Sequence, residues 1–188
     1  LYPLNERSVL NFTSKINNIY EKYLENMNVF YTIVPDKNYF LDDNLGYLKL
    51  DYNKLISLTK DNINGNMKYI DILDTLNEEK YYKTDTHWKQ ENLLKVANII
   101  ANEMNVKIED EYETKSIIKF EGAYSGQLPL KTQEDEIKIL TNDILENCKV
   151  YNYETKEYTK IYDMSKKDSL DKYDSPLNIL FVTCFQLE

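Results

Sequence analysis

Asp85 and His87 are the two side chains whose types and spacing best suit acid–base chemistry. His87 is the only histidine in 188 residues, and it follows an aspartate by two positions and precedes the only tryptophan, Trp88. A carboxylate that accepts a hydrogen bond from one imidazole nitrogen fixes the tautomer and leaves the other nitrogen to take a proton. The pair therefore predicts a general base, although an Asp-x-His tripeptide alone also fits a capping aspartate beside an inert histidine.

The elements around this pair follow the rhythm of a parallel α/β sheet. Apolar spacing predicts helices over 5–26 and 89–105, a further helix capped by Asp51, and strands over 28–34 and 67–73. The motif then lies at a loop-to-helix junction. In parallel α/β sheets ligands collect at the carboxyl ends of the strands, and we expect the motif there.

The second half of the chain has a different texture. Short, partly alternating segments predict β structure, with a hairpin turn over 153–158; they are 117–120, 137–139, 150–153 and 158–162. We interpret 107–176 as a mainly β or irregular insertion within a single domain spanning 1–188. The apolar segment 178–185 predicts one more core strand.

Composition excludes several classes of function. The net charge of −9 and a single arginine, Arg7, predict that nucleic acid is not a partner. Cys148 and Cys184 form either one disulfide or two buried thiols, and without a Cys-x-x-Cys or Cys/His cluster we expect no zinc. A metal-dependent hydrolase using Asp85, His87 and another carboxylate such as Asp36 is disfavoured because there is one histidine, so no metal or cofactor is predicted. No membrane span or signal peptide is visible, and the start at Leu1 predicts a missing upstream part.

The octapeptide 81–88, Tyr-Tyr-Lys-Thr-Asp-Thr-His-Trp, resembles the Y-x-x-T-D-x-H-W signature of the alginate O-acetyltransferase-like proteins. It is also similar to the DHHW proteins of low-GC Gram-positive bacteria, although Thr86 stands where that group has a first histidine. Both groups belong to the SGNH-hydrolase-like superfamily. Shorter segments are similar as well, namely 34–37, 69–72, 122–126, 151–153 and 171–174.

This resemblance implies a three-layer α/β/α flavodoxin-like (SGNH-like) fold with a parallel sheet and a small, mostly β insertion. It implies a Ser-His-Asp triad that transfers acetyl groups on a polysaccharide outside the cell, with His87 as the base and Asp85 as its orienting carboxylate. The location would be extracytoplasmic, at the cell envelope, and a membrane-bound acyltransferase partner would supply the acyl group. Tyr82, Trp88 and Ser125 are further candidates for substrate contacts, although Trp88 can instead pack under the loop and Ser125 can be a simple turn residue.

The family serine is missing from its expected place. It should follow a core strand after the motif, but 178–184 is followed only by Phe-Gln-Leu-Glu. The remaining candidates for the nucleophile are three serines in a polar loop before that strand (Ser165, Ser169, Ser175), the turn residue Ser125, and Cys184 at the end of the apolar segment. We therefore expect a chain that is incomplete at its C-terminus and inactive, with an exposed sheet edge that favours a homodimer. The alternative is a non-catalytic glycan-binding or scaffold domain of the cell envelope. Some of the 17 tyrosines would then stack on sugar rings, although ordinary core and surface packing explains them better.

Overall fold

The protein contains both helices and strands in this computed structural model, which describes residues 2–108, 111–127 and 133–162. The helices are α1 Glu6–Ile19, α2 Tyr52–Asn62, α3 Leu94–Glu103 and α4 Asp143–Asn147. The strands are β1 Val29–Tyr31, β2 Met67–Tyr69, β3 Glu113–Phe120, β4 Asp135–Thr141, β5 Lys149–Asn152 and β6 Glu157–Lys160. Unit 1 comprises Leu1–Glu78 and Lys95–Ile108, and unit 2 comprises Glu79–Leu94 and Glu109–Glu188. Within the described ranges the protein is a mixed α and β structure with small two-stranded sheets and no closed barrel.

Unit 1 contains a parallel pair of strands joined by a helix. Val29 of β1 lies opposite Met67 of β2, and α2 forms the connection between the two strands. The predicted order of helix, strand, helix, strand and the parallel pairing are confirmed. The strands are shorter than predicted, but a side-chain bond from the Thr32 hydroxyl to the Ile70 carbonyl oxygen, 2.8 Å long, continues the contact beyond β1.

Helices α1 and α2 of unit 1 begin directly after the capping residues Asn5 and Asp51. Asp51 accepts a hydrogen bond from the Lys54 amide at 2.9 Å, which satisfies one of the free amides at the start of α2. After α1 the chain continues through a π-helical turn, Tyr20–Leu24, so the helix predicted over 5–26 is confirmed as far as Leu24. Tyr20 packs with Ile63 and Met67 in the buried cluster of this unit.

Unit 2 is built on an antiparallel pair, β3 and β4. Burial alternates strictly along β4, so every second side chain from Asp135 to Thr141 is buried. A cluster of Tyr82, Phe120, Ile137 and Ile139 forms the core of the unit. The β5–β6 pair is an antiparallel hairpin, as the sequence predicts, and the strands β3 to β6 all lie within the predicted β segment 107–176. The short helix α4 is a feature that the sequence does not predict.

The helix predicted from Lys89 is wrong at its start, because α3 begins only at Leu94. Gln90–Asn92 instead form a 3₁₀ turn, and the Gln90 side chain accepts a bond from the Leu140 amide and donates one to the Tyr162 hydroxyl, at 3.0 and 2.7 Å. These contacts tie the segment to β4. Among the helices of the described ranges, none is both long and apolar enough to cross a bilayer.

Several predictions fall elsewhere in the chain. The predicted strand 178–185, the serines at 165, 169 and 175, the segment 171–174 and Cys184 lie outside the described residues. Cys148 is half-buried, and it forms no disulfide with any cysteine of the described ranges.

Candidate active site

The two ends of the 81–88 motif are hydrogen-bonded to each other. Tyr81 and Trp88 form an isolated antiparallel bridge, and the Tyr82 amide donates to the His87 carbonyl oxygen at 3.0 Å. The Lys89 amide donates to the Lys80 carbonyl oxygen at 2.7 Å, which extends the pairing by one step. The four residues 83–86 therefore form a loop, and backbone hydrogen bonds between the two flanking segments close its base. The motif thus ends in a hairpin-like closure, and not at the first turn of a helix as predicted.

Asp85 and His87 are in direct contact across this loop. The Asp85 Oδ1 atom lies 2.5 Å from His87 Nδ1 and also accepts a hydrogen bond from the His87 amide at 3.0 Å. The Asp85 side chain is 2% exposed, whereas the His87 side chain is 35% exposed. Because a carboxylate only accepts, Nδ1 is the donor, and the neutral ring carries its free lone pair on Nε2. No residue of the described ranges forms a hydrogen bond to Nε2, so this nitrogen is available to an external proton donor.

A second carboxylate, Asp135, anchors the residue that precedes Asp85. One oxygen of Asp135 accepts from both the amide and the hydroxyl of Thr84, at 2.6 and 2.7 Å. The Thr84 hydroxyl in turn accepts from the Gly122 amide at 2.8 Å. All the donors and acceptors of these three hydrogen bonds are buried. In a buried setting such fully paired networks hold one backbone conformation.

The loop 122–124 lies directly against the motif. The Tyr124 amide donates to the Thr84 carbonyl oxygen at 2.9 Å. A Cβ added at Gly122 would lie 2.4 Å from that oxygen and 2.6 Å from the Asp85 Cβ. Only glycine fits at such a distance, so the residue type at 122 is dictated by close approach of two backbones.

Tyr82 occupies the core of unit 2. It is fully buried, and its ring meets that of Phe120 edge-on at 5.0 Å between centroids. Burial raises the pKa of Tyr82, and the nearby carboxylates of Glu91, Asp135 and Asp85 raise it further. In this conformation the Tyr82 ring therefore packs in the core beneath the motif loop of which Tyr82 is part. Its contact with substrate stays a prediction.

The other two candidates for substrate contacts are Trp88, the last residue of the motif, and Ser125, which follows the loop 122–124. Trp88 is half-buried, and its backbone is paired with Tyr81. Ser125 is buried, begins the 3₁₀ turn Ser125–Gln127, and donates its amide to the Gly122 carbonyl oxygen at 3.0 Å. Their roles in substrate binding also stay predictions.

Asp135 is the residue of this site that the motif did not reveal. The signal was present in the segment 135–141, where Asp135 is in phase with Ile137 and Ile139, the buried positions of an alternating strand. A carboxylate at such a position has to be paired inside the protein. Among the described residues, no group of three His, Cys, Asp or Glu is placed to hold a metal ion.

Comparisons with known proteins concern the fold. No protein-family model matches the sequence, and no curated protein matches it either. Among solved structures, a DHHW family protein from Eubacterium siraeum is similar with a TM-score of 0.58 and 21% identity, over 70% of this chain and 47% of that one. PatB1 from Bacillus cereus is similar with a TM-score of 0.63 and 12% identity, over 93% of this chain and 66% of that one.

A second structure of PatB1, with a sulfonyl adduct, gives a TM-score of 0.50 at 12% identity, over 74% of this chain and 49% of that one. The chain thus spans between about half and two thirds of the length of these proteins. At such low identities the likeness is one of fold. The protein shares its fold with a DHHW family protein and with PatB1.

Proposed function

We propose that this chain is part of an SGNH-like carbohydrate O-acetyltransferase or acetylesterase that acts on a cell-surface or exported polysaccharide. The observation that carries the proposal is the 2.5 Å contact between the buried Asp85 carboxylate and the half-exposed His87 ring. A histidine oriented in this way is prepared for proton transfer. The parallel β1–α2–β2 connection and the likeness to a DHHW family protein and PatB1 support the three-layer fold that this proposal includes.

The chemistry of the pair follows from its geometry. His87 Nε2 takes the proton of a hydroxyl group, and the freed oxygen attacks the acetyl carbonyl carbon. Asp85 stabilises the imidazolium that forms. As the tetrahedral intermediate collapses, the bond to the leaving oxygen breaks and His87 returns the proton to it. With a serine as nucleophile, the acetyl group moves first to the serine and then to a sugar hydroxyl or to water.

The setting of the reaction is part of the same proposal. The acceptor would be a polysaccharide outside the cytoplasm, and a membrane-bound acyltransferase partner would supply acetyl groups. A serine would be the nucleophile, the chain 1–188 without one at the family's position would be inactive, and an exposed sheet edge would pair in a homodimer. The neighbour that carries a sulfonyl adduct supports a search for the nucleophile with a sulfonyl electrophile.

The experiment is to measure acetyl-ester hydrolysis by the full-length gene product, followed by labelling with a sulfonyl fluoride and peptide mapping. His87→Ala should abolish turnover and slow labelling of the nucleophile, because the base is lost. Ser57→Ala, an exposed residue of α2, is the control and should behave as the wild type. Turnover that is unchanged in His87→Ala would reject the proposed role of His87.

A second function is favoured by one surface feature, the β5–β6 hairpin. Tyr151, Tyr153 and Tyr158 are 46%, 77% and 68% exposed, and the rings of Tyr151 and Tyr158 lie 5.0 Å apart. Exposed aromatic faces can stack on sugar rings, which supports a non-catalytic glycan-binding or scaffold role. Binding to cell-wall glycans that Tyr153→Ala weakens and His87→Ala leaves unchanged would favour this alternative. Binding that depends on neither residue would count against it.

A further inference from the structure

We propose that Asp135 is a positioning residue, which fixes the Thr84–Asp85 backbone and so directs the Asp85 carboxylate at His87 Nδ1. Asp135 acts through Thr84, whose amide and hydroxyl it binds. Its importance for turnover rests on the proposed function, whereas its effect on the His87 ring does not.

The donor directions within this network are dictated by chemistry. The Gly122 amide can only donate, and the Asp135 carboxylate can only accept. The Thr84 hydroxyl must therefore donate to Asp135 while it accepts from Gly122, at 2.7 and 2.8 Å. The Thr84 amide also donates to Asp135, at 2.6 Å. The amide and the hydroxyl of Thr84 therefore both have a fixed hydrogen-bond direction. The Lys83–Thr84 peptide and the Thr84 side chain, directly before Asp85, are thereby held by Asp135.

The end of the β3–β4 ladder carries both hydrogen-bond partners of the Thr84 hydroxyl. Phe120, the last residue of β3, is paired with Asp135, the first residue of β4. Gly122 follows Phe120 by two positions, so the same end of the ladder carries the Gly122 amide and the Asp135 carboxylate. The ladder is long, and its inner face is packed around Ile137 and Ile139. The motif loop is therefore anchored on the longest strand pair described in unit 2, and a base that needs precise orientation is best held on regular secondary structure.

The identity of the residue at 135 is not explained by packing. Asp135 is 7% exposed on the same face as Ile137 and Ile139, where an apolar side chain would bury more favourably. Within the described ranges no lysine, arginine or histidine forms an ion pair with it. The described hydrogen-bond donors to its side chain belong to Thr84. All the described polar contacts of this buried carboxylate are with Thr84, the residue before Asp85. The need to hold Thr84 in place explains an aspartate at position 135.

His87 is the only histidine in the sequence, so its ring nitrogens give unambiguous ¹⁵N signals in protein made without a histidine tag. Those signals report which nitrogen carries the proton. In the wild type we expect the Nδ1–H tautomer, which the bond to Asp85 requires. In Asp135→Ala the ring should shift towards the Nε2–H tautomer, because Asp85 is no longer held in line. In the full-length enzyme kcat should fall on the order of 10- to 100-fold with KM little changed.

The control is Ile137→Ala, two residues along the same strand and fully buried. It should lower the unfolding temperature at least as much as Asp135→Ala while leaving the Nδ1–H tautomer in place. If Asp135→Ala does not fold, Asp135→Asn keeps the shape with a neutral acceptor and should give an intermediate shift. A wild-type tautomer in the folded Asp135 variants, or an equal shift in Ile137→Ala, would overturn the assignment. Failure of the acetyl-ester assay alone would instead count against the proposed function, because the tautomer is measured without substrate.

Discussion

Gly122 and Thr84 approach each other so closely that a Cβ at Gly122 would lie 2.4 Å from the Thr84 carbonyl oxygen. The same carbonyl accepts from the Tyr124 amide at 2.9 Å, and the Thr84 hydroxyl accepts from the Gly122 amide at 2.8 Å. Two backbone segments thus lie in direct contact, and the Thr84 side chain adds a further hydrogen bond between them. The position of Asp85, the next residue, depends on this contact.

Replacing Gly122 by alanine should therefore disturb both the fold and the site. The clash is with the Thr84 carbonyl group and the Asp85 Cβ, which cannot rotate away, so we expect a loss of about 1–3 kcal/mol in the free energy of unfolding. The loss is measured by urea unfolding, and acetyl-ester turnover should fall with it. Gly65→Ala is the matched control, because a Cβ there would have no atom within 4 Å. Equal effects of the two substitutions would show that the close approach does not limit the residue type at 122.

Local signals explain what the sequence predicted correctly. The cap at Asp51 and the β1–α2–β2 connection depend on neighbours within a few residues or on a regular apolar period. The Asp85–His87 contact was also predictable, because an Asp-x-His spacing lets the carboxylate reach the ring when the intervening residue turns. Such features need little information from the rest of the chain.

The features that the sequence did not predict depend on distant partners. Thr84 and Asp135 are 51 positions apart, and nothing in the motif indicates which carboxylate would pair with its threonine. The late start of α3 arises because Gln90 bonds to Leu140, 50 positions away. The apolar period of the sequence continues through Gln90 and so predicts a helix there. A contact with a distant residue overrides this local preference, and the local sequence does not reveal that contact.

The cap of α2 offers a test confined to unit 1. Asp51→Ala removes the acceptor of the Lys54 amide, and we expect a loss of about 1 kcal/mol in unfolding free energy. The measurement is thermal or urea unfolding. Asp61→Ala removes the same charge from the other end of α2, where the side chain is exposed, and should change stability by less than about 0.5 kcal/mol. A larger effect at Asp61 than at Asp51 would contradict the capping role.

Glu91 gives a prediction for pH dependence. Burial raises the pKa of the Glu91 carboxyl, and Glu91 Oε2 has no hydrogen-bond partner among the described residues. A carboxyl with a raised folded pKa stabilises the fold below its unfolded pKa, and that contribution is lost as pH rises through the folded pKa. Glu91→Gln stays neutral, so it should raise the unfolding temperature at pH 7 and have little effect at about pH 4.

A surface glutamate should respond with the opposite sign. The bond from Lys115 lowers the pKa of the Glu146 carboxyl, which lies 2.5 Å from the lysine Nζ. Its contribution is present above the unfolded pKa and is lost as pH falls through the folded pKa. Glu146→Gln should thus lower the unfolding temperature slightly at pH 7 and not at low pH. Shifts of the same sign in both variants would show that a general charge effect, and not burial, governs Glu91.

Asp85→Asn separates orientation of His87 from its mere presence. The amide of an asparagine can donate to Nδ1 and so favour the tautomer in which Nε2 carries the proton and cannot act as a base. In the full-length enzyme we expect kcat for acetyl-ester turnover to fall on the order of 10²- to 10⁴-fold with KM little changed. The measurement is steady-state kinetics, beside the ¹⁵N spectrum of His87, which should show the altered tautomer.

The control for this change is Asp43→Asn, which makes the same chemical substitution at a carboxylate whose side chain is 91% exposed. It should leave both kcat and the His87 spectrum as in the wild type. Because an asparagine side chain has nearly the size of an aspartate, a loss of activity with normal unfolding would point to the tautomer and not to the fold. Wild-type turnover in an Asp85→Asn enzyme whose ring has changed tautomer would mean that His87 is not the base, whatever its geometry.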